Sequence, residues 1–331
     1  MGTKMKVLVT GGGGTVGKSI IRGLINRNYT ITSLARRAYP ELEKLGVEQL
    51  EVDIRDYEKV KPALVDKDAV FHVAAKVGLW GKYDEFHSTN VIGTENIIKA
   101  CTVNQIKYLV YTSSASVVFD GKNIVNGNES LPYPSIPISN YTETKALAEQ
   151  LVLKANCSSL KTLSLRPHLV WGPGDNHIVP GILRRAKAGT LRQIGANEYY
   201  IDTTYIDNLC DAHLCALDAL SNSIAADGQA YFISNDEPIK IWDFINSILK
   251  AHGMSPINKK LSVRSALAIS WCLENYHKIF LPNKEPALTH FAVNEVITSH
   301  WFDIYKAKKT LSYHPKVSIE QGLKNLSQYI T

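Results

Sequence analysis

The chain of 331 residues is poor in cysteine, and its few cysteines form no recognisable set. The five are Cys101, Cys157, Cys210, Cys215 and Cys272. They show no C-x-x-C spacing and no clustering with histidine, so the sequence predicts neither a metal site nor a disulfide framework. Scattered thiols in a chain of this length indicate reduced, buried side chains, and we therefore expect a cytoplasmic protein.

Long apolar runs are missing as well. No stretch of the sequence reaches the length of a membrane span without a charge, and no apolar signal-peptide segment precedes the first predicted strand. The nearest candidate, Ser262–Leu281, contains Arg264, Glu274 and Lys278 and therefore predicts an amphipathic helix. Two interpretations stay open. The helix packs on its own domain, or it acts at an apolar site, either as a lid over an apolar substrate or as a surface in peripheral contact with a membrane.

Concentrated charge of one sign is also absent. The net charge is +6, and the short basic clusters Arg184–Lys187 and Lys306–Lys309 lack the density of a nucleic-acid-binding arm. We therefore expect no nucleic-acid partner. A mildly positive field favours a phosphorylated cofactor or an acidic substrate instead. With 45% hydrophobic residues, the chain can bury a large core.

Short β-branched runs alternate with helical patterns through the first half of the chain. The predicted strands are residues 6–10, 30–34, 47–52, 69–73, 108–112 and 162–166. This alternation predicts an α/β fold, a Rossmann-type doubly wound parallel sheet with a smaller C-terminal substrate domain. We assign residues 1–170 and about 203–234 to the dinucleotide-binding domain, and about 171–202 and 235–331 to the substrate domain. A helix is predicted over Glu85–Val103 and a loop over Asp120–Asn140.

Three glycines follow the first predicted strand and open the next helix. Gly11 permits a tight turn, Gly14 lets the backbone approach a pyrophosphate, and Gly17 lets the helix pack close to the strand. Thr15 and Val16 lie at the helix N-terminus, where free N–H groups attract phosphate. The motif predicts a dinucleotide site.

The end of the second predicted strand decides between the two nicotinamide dinucleotides. Enzymes that use NAD place a carboxylate there to hold the ribose 2′-hydroxyl, but this chain has Ala35 followed by Arg36 and Arg37. Two guanidinium groups suit a 2′-phosphate. We therefore predict that NADP(H) is preferred, with NAD(H) possible. The alternative interpretation is that both arginines are ordinary surface charges. Asp53, after the third strand, is a candidate acceptor for the adenine amino group.

A tyrosine and a lysine lie one helical turn apart, at Tyr141 and Lys145, so they project from one helix face. A free phenol has a pKa of about 10, too high for efficient proton transfer near neutral pH. We expect the Lys145 ammonium to lower the pKa of Tyr141. Tyr141 would then donate a proton to a carbonyl oxygen that Ser114 holds by a hydrogen bond.

These motifs together resemble the extended short-chain dehydrogenase/reductase family. The resemblance rests on the glycine motif, Asp53-Ile54, His72–Ala75, Asn90–Thr94, Tyr111–Ser114, Tyr141-x-x-x-Lys145 and Leu165–Pro167. It implies that Ser114, Tyr141 and Lys145 are catalytic and that Asn90 supports them. It also implies further cofactor contacts from Ile54, Ala74, Ala75, Lys76, Thr112, Pro167, His168 and Leu169.

Within that family the chain resembles the 3β-hydroxysteroid dehydrogenase branch and its bacterial 3-oxoalkanoate reductases, which reduce β-keto acids with NADPH. Val170–Gly174, Ala74–Tyr83 and the ending His300–Asp303 carry this likeness. The resemblance implies an apolar 3-oxo or 3-hydroxy substrate. Trp80 and Tyr83 are candidate substrate contacts, since aromatic side chains commonly line apolar sites.

Two positions separate this chain from other branches. Nucleotide-sugar enzymes of the family carry arginine where this chain has Ile201, and dehydratases carry Asp-Glu where it has Ala115 and Ser116. We therefore predict an NADPH-dependent 3-oxo reductase. An NAD-dependent nucleotide-sugar epimerase and a non-catalytic dinucleotide-sensing protein are the alternatives. By analogy with the family, a homodimer through the helices near residues 85–103 and 141–154 is possible.

Overall fold

Seven parallel strands form the central sheet of this computed structural model, which describes residues 4–222 and 224–328. The strands are β1 (Lys6–Thr10), β2 (Thr30–Ala35), β3 (Glu48–Glu51), β4 (Ala69–His72), β5 (Tyr108–Thr112), β7 (Lys161–Pro167) and β12 (Gln229–Ile233). Their order is β12-β7-β5-β4-β1-β2-β3. The chain turns back between β1 and β4, and ligands of such sheets bind at the carboxyl ends of the strands beside this point. The predicted Rossmann-type sheet is confirmed.

Helices cover both faces of the sheet, and further helices pack in the second part of the molecule. They are α1 (Thr15–Asn26), α2 (Pro40–Glu43), α3 (Tyr57–Ala63), α4 (Tyr83–His87), α5 (Gly93–Val103), α6 (Asn140–Lys154), α7 (Ile178–Lys187), α8 (Ile206–Asn222), α9 (Ile241–Ala251), α10 (Val263–Phe280), α11 (His290–Ile297), α12 (Tyr305–Leu311) and α13 (Ile319–Gln328). One face packs against α1 and α8 around Val7, Val9 and Leu209. The other packs against α3, α5 and α6 around Leu8 and Val70. Burial on both faces explains the continuous apolar strands.

The predicted helix Glu85–Val103 is a single rod with an irregular centre. It begins as α4 at Tyr83, passes through a π-helical turn at Ser88–Ile92 and continues as α5. Single π-helical turns often occur at functional sites, because they re-aim the side chains of one turn. This turn contains Asn90.

The remaining strands form small sheets in the second half of the chain. They are β6 (Ile124–Gly127), β8 (Val170–Trp171), β9 (Gln193–Ile194), β10 (Tyr200–Ile201), β11 (Thr204–Tyr205), β13 (Ile239–Lys240), β14 (Lys260–Leu261) and β15 (His300–Phe302). One sheet has the order β13-β10-β15-β6. Strand β6 lies within Asp120–Asn140, so the prediction of a loop throughout that segment was wrong. Its partner β15 follows far along the chain, and no local pattern indicates such a pairing.

A third apolar cluster, around Trp171, Tyr205 and Phe244, fills the second part of the molecule. Between its segments the chain returns to the central sheet, where β12 pairs with β7 from Gln229 opposite Leu163 to Ile233 opposite Pro167. Among the described residues, no helix is both long and apolar enough to cross a membrane.

Candidate active site

The glycine turn between β1 and α1 packs tightly against the end of β4. Gly11 has φ +69°, and a Cβ there would lie 3.0 Å from the Ala74 backbone. A Cβ on Gly17 would lie 2.3 Å from the Gly11 carbonyl oxygen. Gly14 caps α1 without a side-chain hydrogen bond, so first-turn N–H groups face the turn. This geometry suits a dinucleotide pyrophosphate.

The residues that follow join the turn to the second part of the molecule. Thr15 donates its hydroxyl proton to the Gly174 carbonyl over 2.7 Å, and Val16 packs against two apolar clusters. Tyr39 lies over the turn, because a Cβ on Gly13 would come within 1.9 Å of its ring. No sequence motif indicated Tyr39.

The end of β2 is open and basic. Arg36 and Arg37 are exposed, and the Arg37 guanidinium lies 5.1 Å from the centre of the Tyr39 ring. Asp53 accepts from Arg55 at 2.6 Å, and this hydrogen bond holds the pKa of the Asp53 carboxyl below its usual value. The carboxylate proposed for adenine therefore already has a cationic partner. Its neighbour Ile54 is buried and faces Gly93 of α5, rather than an open cofactor cleft.

Helix α6 carries Tyr141 and Lys145, and its start is fixed by a capping box between Ser139 and Thr142. Lys145 is buried, and its Nζ donates to the Thr112 carbonyl oxygen over 2.6 Å. Burial lowers the pKa of Lys145 to about 7, although the nearby Glu149 carboxylate opposes this shift. The ammonium is therefore poised to exchange its proton near neutral pH.

Tyr141 is partly exposed and is hydrogen-bonded to Ser114. Burial raises the pKa of the Tyr141 phenol, while the bond to Ser114 lowers it, and the result lies above the ordinary value. This differs from the expectation that Lys145 acidifies the phenol. The reason is that the effect of burial on the phenol exceeds that of its hydrogen bond. The phenol is therefore held in its proton-donating form. Ser114 also shares a hydrogen bond of 2.8 Å with Ser116.

Asn90 joins the π-helical turn to the loop after β4. Its Oδ1 accepts from the Lys76 backbone N–H at 2.7 Å, and its Nδ2 donates to the Lys76 carbonyl at 3.1 Å. The same Nδ2 donates to Thr144 Oγ1 of α6 at 3.0 Å. Asn90 thus fixes α6 relative to the cofactor loop. Ala75 precedes Lys76 in this loop and is partly exposed.

A buried relay lies beneath this site. His72 bonds Thr10 Oγ1 at 2.8 Å through Nδ1 and Thr94 Oγ1 at 2.9 Å through Nε2. Thr94 in turn donates to the Asn90 carbonyl at 2.6 Å. Burial first, and then the charge of Lys145, lowers the pKa of His72 to about 3, so this imidazole is neutral. The relay connects the glycine turn to the π-helical turn.

A buried ion pair supports the lysine from the next turn of α6. Arg166 donates to Glu149 at 2.7 Å, and both side chains are almost fully buried. Ser164 and Tyr133 also donate to this carboxylate. Burial opposes ionisation of Glu149, but Arg166 and these donors hold its pKa below the usual value. The sequence spacing predicted Tyr141 and Lys145 of α6 but not this ion pair. Arg166 belongs to the Leu165–Pro167 motif, but the motif did not indicate its partner.

After Pro167, the next side chain enters a second buried network. His168 Nδ1 lies 2.6 Å from Asp202 Oδ1, and His168 Nε2 lies 3.1 Å from His300 Nδ1. Leu169 has φ +41° and accepts from the Thr204 N–H. Potential ligand atoms of His168, Glu295 and His300 lie within 4.8 Å of one another. The sequence indicated no such cluster, because its members are far apart in the chain.

One of the proposed substrate contacts, Trp80, lies beside the end of α10. Trp80 donates through Nε1 to the Pro282 carbonyl at 3.1 Å and meets His277 edge-on, with ring centres 6.3 Å apart. Asn140, the first residue of α6, donates to the Gly81 carbonyl at 3.0 Å. Tyr83 is 37% exposed. The predicted helix over Ser262–Leu281 is present, with Ser262 as its N-cap.

Comparison with known proteins agrees with this site. Residues 8–263 match the 3-beta hydroxysteroid dehydrogenase/isomerase family. The 2-alkyl-3-oxoalkanoate reductase of Stenotrophomonas maltophilia is 43% identical over 97% of this chain and 98% of that protein. The 3beta-hydroxysteroid-dehydrogenase/decarboxylase isoform 1 of Arabidopsis thaliana is 35% identical over 97% and 79%. The chain belongs to this family and is a pyridine-nucleotide-dependent oxidoreductase, as its motifs predicted.

Solved structures confirm the fold. The UDP-glucuronic acid 4-epimerase of Bacillus cereus in complex with NAD is 24% identical, with a TM-score of 0.75 over 98% of each chain. The UDP-glucose 4-epimerase of Thermotoga maritima is 22% identical, with a TM-score of 0.76 over 98% of each chain. At these identities the likeness concerns the chain's path alone.

Proposed function

We propose that this protein reduces the 3-oxo group of an apolar acyl substrate, a β-keto acid, to the alcohol with NADPH. The observation that carries the proposal is the hydrogen-bonded Ser114 and Tyr141 beside Lys145, at the end of the sheet that holds the glycine turn. Similarity to the reductase of Stenotrophomonas maltophilia at 43% identity supports the substrate class.

In this proposal the cofactor supplies a hydride to the carbonyl carbon. Tyr141 donates its proton to the carbonyl oxygen, and Ser114 holds that oxygen by a hydrogen bond. Lys145 would bind the ribose hydroxyls and would return a proton to the Tyr141 phenolate, and it would regain its own proton from solvent, a role that its pKa of about 7 suits. Arg36 and Arg37 bind the 2′-phosphate, and Pro167, His168 and Leu169 line the nicotinamide.

The test is a panel of 3-oxo acids, 3-oxosteroids and UDP-sugars, with NADPH absorbance as the readout. We expect turnover of long-chain 3-oxo acids, and Tyr141→Phe should lower it by about two to four orders of magnitude. Tyr108→Phe, at the opposite end of β5, is the matched control and should retain activity. Reduction of no 3-oxo compound, or full activity in Tyr141→Phe, would contradict the proposal.

The epimerase alternative is weaker. The two epimerases described above are 24% and 22% identical to this chain, whereas the reductase of Stenotrophomonas maltophilia is 43% identical. Ile201 stands where nucleotide-sugar enzymes use arginine, and in this structure it is buried in the third apolar cluster. Release of NAD from the purified protein together with conversion of a UDP-sugar would favour the epimerase. A dinucleotide sensor would bind NADPH without turnover of any compound.

We further propose a cytoplasmic homodimer. All five cysteines are free, which fits a reducing compartment. Ile92 of the π-helical turn and Leu147 of α6 are each 37% exposed, and Val103 of α5, which packs beside α6, is more exposed still. A second copy would cover these side chains. Sedimentation of the protein and of a Leu147→Glu variant tests this, since the charge should shift a dimer towards monomer.

A further inference from the structure

The most unusual surface of the molecule lies on α10. Five large apolar side chains of this helix are exposed, and we call them the outer face of α10: Ile269, Trp271, Tyr276, Ile279 and Phe280. Their exposed fractions run from 42% for Ile269 to 71% for Ile279. Single exposed apolar residues are ordinary, but a continuous group of this size marks an interaction site.

Helical geometry makes this a continuous face. At about 100° per residue, Ile269, Tyr276 and Phe280 lie together on one side of the helix. Ile279 lies between this group and Trp271, and Trp271 marks the edge of the face. The Tyr276 and Phe280 rings lie 5.1 Å apart. The buried residues Ala266, Ser270 and His277 lie together on the neighbouring side, next to Phe280 and farthest from Ile279. The helix is therefore apolar towards solvent as well as towards the protein.

The charges near this face are three cations and two carboxylates. Arg264 and Lys278 are exposed along the edge that carries Trp271, and Lys284 follows the helix. The Glu274 carboxylate lies on the same edge, between Lys278 and the buried side of the helix, and it accepts from the His290 N–H at 2.6 Å. Glu285 lies beyond the helix end, next to Lys284. An apolar face with tryptophan and flanking cations has the composition of a helix that binds at an anionic bilayer surface.

The outer face of α10 is connected to the substrate side of the site. The helix ends beside Pro282, whose carbonyl accepts from Trp80, and His277 Nδ1 bonds the Lys284 carbonyl at 2.6 Å. Movement of the helix end would therefore displace Trp80. The family match ends at residue 263, where α10 begins, so the match does not account for this helix.

We propose that the outer face of α10 docks on an anionic lipid bilayer, so that the apolar substrate passes from the lipid to the site beside Trp80. The docking itself rests on the exposed side chains and their flanking cations. The passage of substrate rests on the proposed function. The occupant is a lipid surface, because the flanking cations match anionic headgroups and because a long-chain 3-oxo acid partitions into lipid.

Docking is tested by flotation of the full chain with vesicles. We expect binding to vesicles of phosphatidylglycerol and phosphatidylcholine in equal parts, weaker binding to phosphatidylcholine alone, and a decrease with added salt. The triple variant Trp271→Ser/Ile279→Ser/Phe280→Ser should reduce the bound fraction at least about tenfold. The control is Val125→Ser/Ile136→Ser, which removes apolar side chains that are 65% and 84% exposed elsewhere, and should bind as the native chain does.

Activity separates docking from the proposed function. With a short, water-soluble 3-oxo acid and no vesicles, the triple variant should match the native chain. With a long-chain 3-oxo acid dissolved in anionic vesicles, it should be at least about tenfold slower. Equal flotation of the triple variant and native chain would overturn the docking proposal, whatever the activity. The docking proposal would also be overturned if the native chain were a dimer and the triple variant a monomer, because the outer face of α10 would then be an interface between copies. Absence of any 3-oxo reduction, with flotation intact, would refute the function alone.

Discussion

His168 Nε2 and His300 Nδ1 face each other at 3.1 Å in the interior of the protein. The other nitrogen of each ring faces an acceptor, because His168 Nδ1 meets the Asp202 carboxylate and His300 Nε2 meets the Glu295 carbonyl. Both outer nitrogens must therefore carry protons. If both rings were neutral, the lone pairs of His168 Nε2 and His300 Nδ1 would face each other, which is unfavourable. One of the two rings must therefore be an imidazolium. We infer that the pair holds one extra proton.

The environment supports a proton on His168. Burial opposes the charge, but the carboxylates of Asp202 and Glu295 more than compensate, and the pKa of His168 is raised above 6.5. Burial lowers the pKa of His300, so this ring stays neutral and accepts. The network links the end of β7 with β10 and β15, and thus the central sheet with the small one.

We predict that this pair makes stability depend on pH. Because the folded pKa of His168 is raised, its contribution is complete below pH 6.5 and is lost as the pH rises through the folded value. The depressed pKa of Lys145 acts in the opposite direction and favours folding as the pH rises from about 7 to 10.5. The free energy of unfolding in urea, measured for the native chain and for His300→Asn at several pH values, isolates the contribution of His168. The difference between them should be largest at acid pH and shrink at alkaline pH, and a constant difference would contradict the shared proton.

The basic end of β2 predicts which cofactor binds more tightly. Arg36→Ala should weaken NADPH binding by roughly ten- to a hundredfold, the value of a charge-assisted hydrogen bond, and leave NADH nearly unchanged. Fluorescence titration with both cofactors measures this. Lys44→Ala removes one exposed charge just after α2 and should change neither affinity. Native protein that binds NADH more tightly would show that the two arginines are ordinary surface charges.

The hydrogen bonds of Asn90 lead to a prediction about turnover. In Asn90→Ala the N–H and carbonyl of Lys76 lose their partner, and Thr144 no longer ties the catalytic helix to the loop. We expect kcat to fall at least about tenfold with a smaller change in KM, because the catalytic helix is misplaced rather than the substrate lost. Asn96→Ala, which removes a hydrogen bond to the Ile54 carbonyl from α5, is the structural control. Equal losses of kcat in both variants would mean that Asn90 contributes only to folding.

Local patterns predicted the parts of the site that lie close together in the sequence. The glycine turn follows β1 directly, and the spacing of Tyr141 and Lys145 is one helical turn. The pairing of His168 with His300 was not predictable in this way, because 132 positions separate them and neither flanking sequence constrains the other. The same holds for Asn123, which accepts from the Ser299 N–H beside the β6–β15 pair across 176 positions. Long-range contacts of this kind depend on how the small sheet packs.

The ion pair under the catalytic lysine leads to the last prediction. Arg166→Met would leave the Glu149 carboxylate buried without its cation, and such losses cost about 3–5 kcal/mol of unfolding free energy. The double variant Glu149→Leu/Arg166→Met should recover much of this loss, because no unpaired charge remains. Arg27→Met breaks the exposed pair with Asp218 and should cost less than about 1 kcal/mol.

The double variant also tests the link to Lys145. The Glu149 charge raises the pKa of Lys145, so its removal should move that pKa further below about 7. We therefore expect the alkaline limb of the pH–kcat profile to shift towards acid in the double variant and to stay in place in Arg27→Met. Urea unfolding and the pH profile together distinguish the two roles of the pair. A double variant as unstable as Arg166→Met would show that the pair acts by packing rather than by charge.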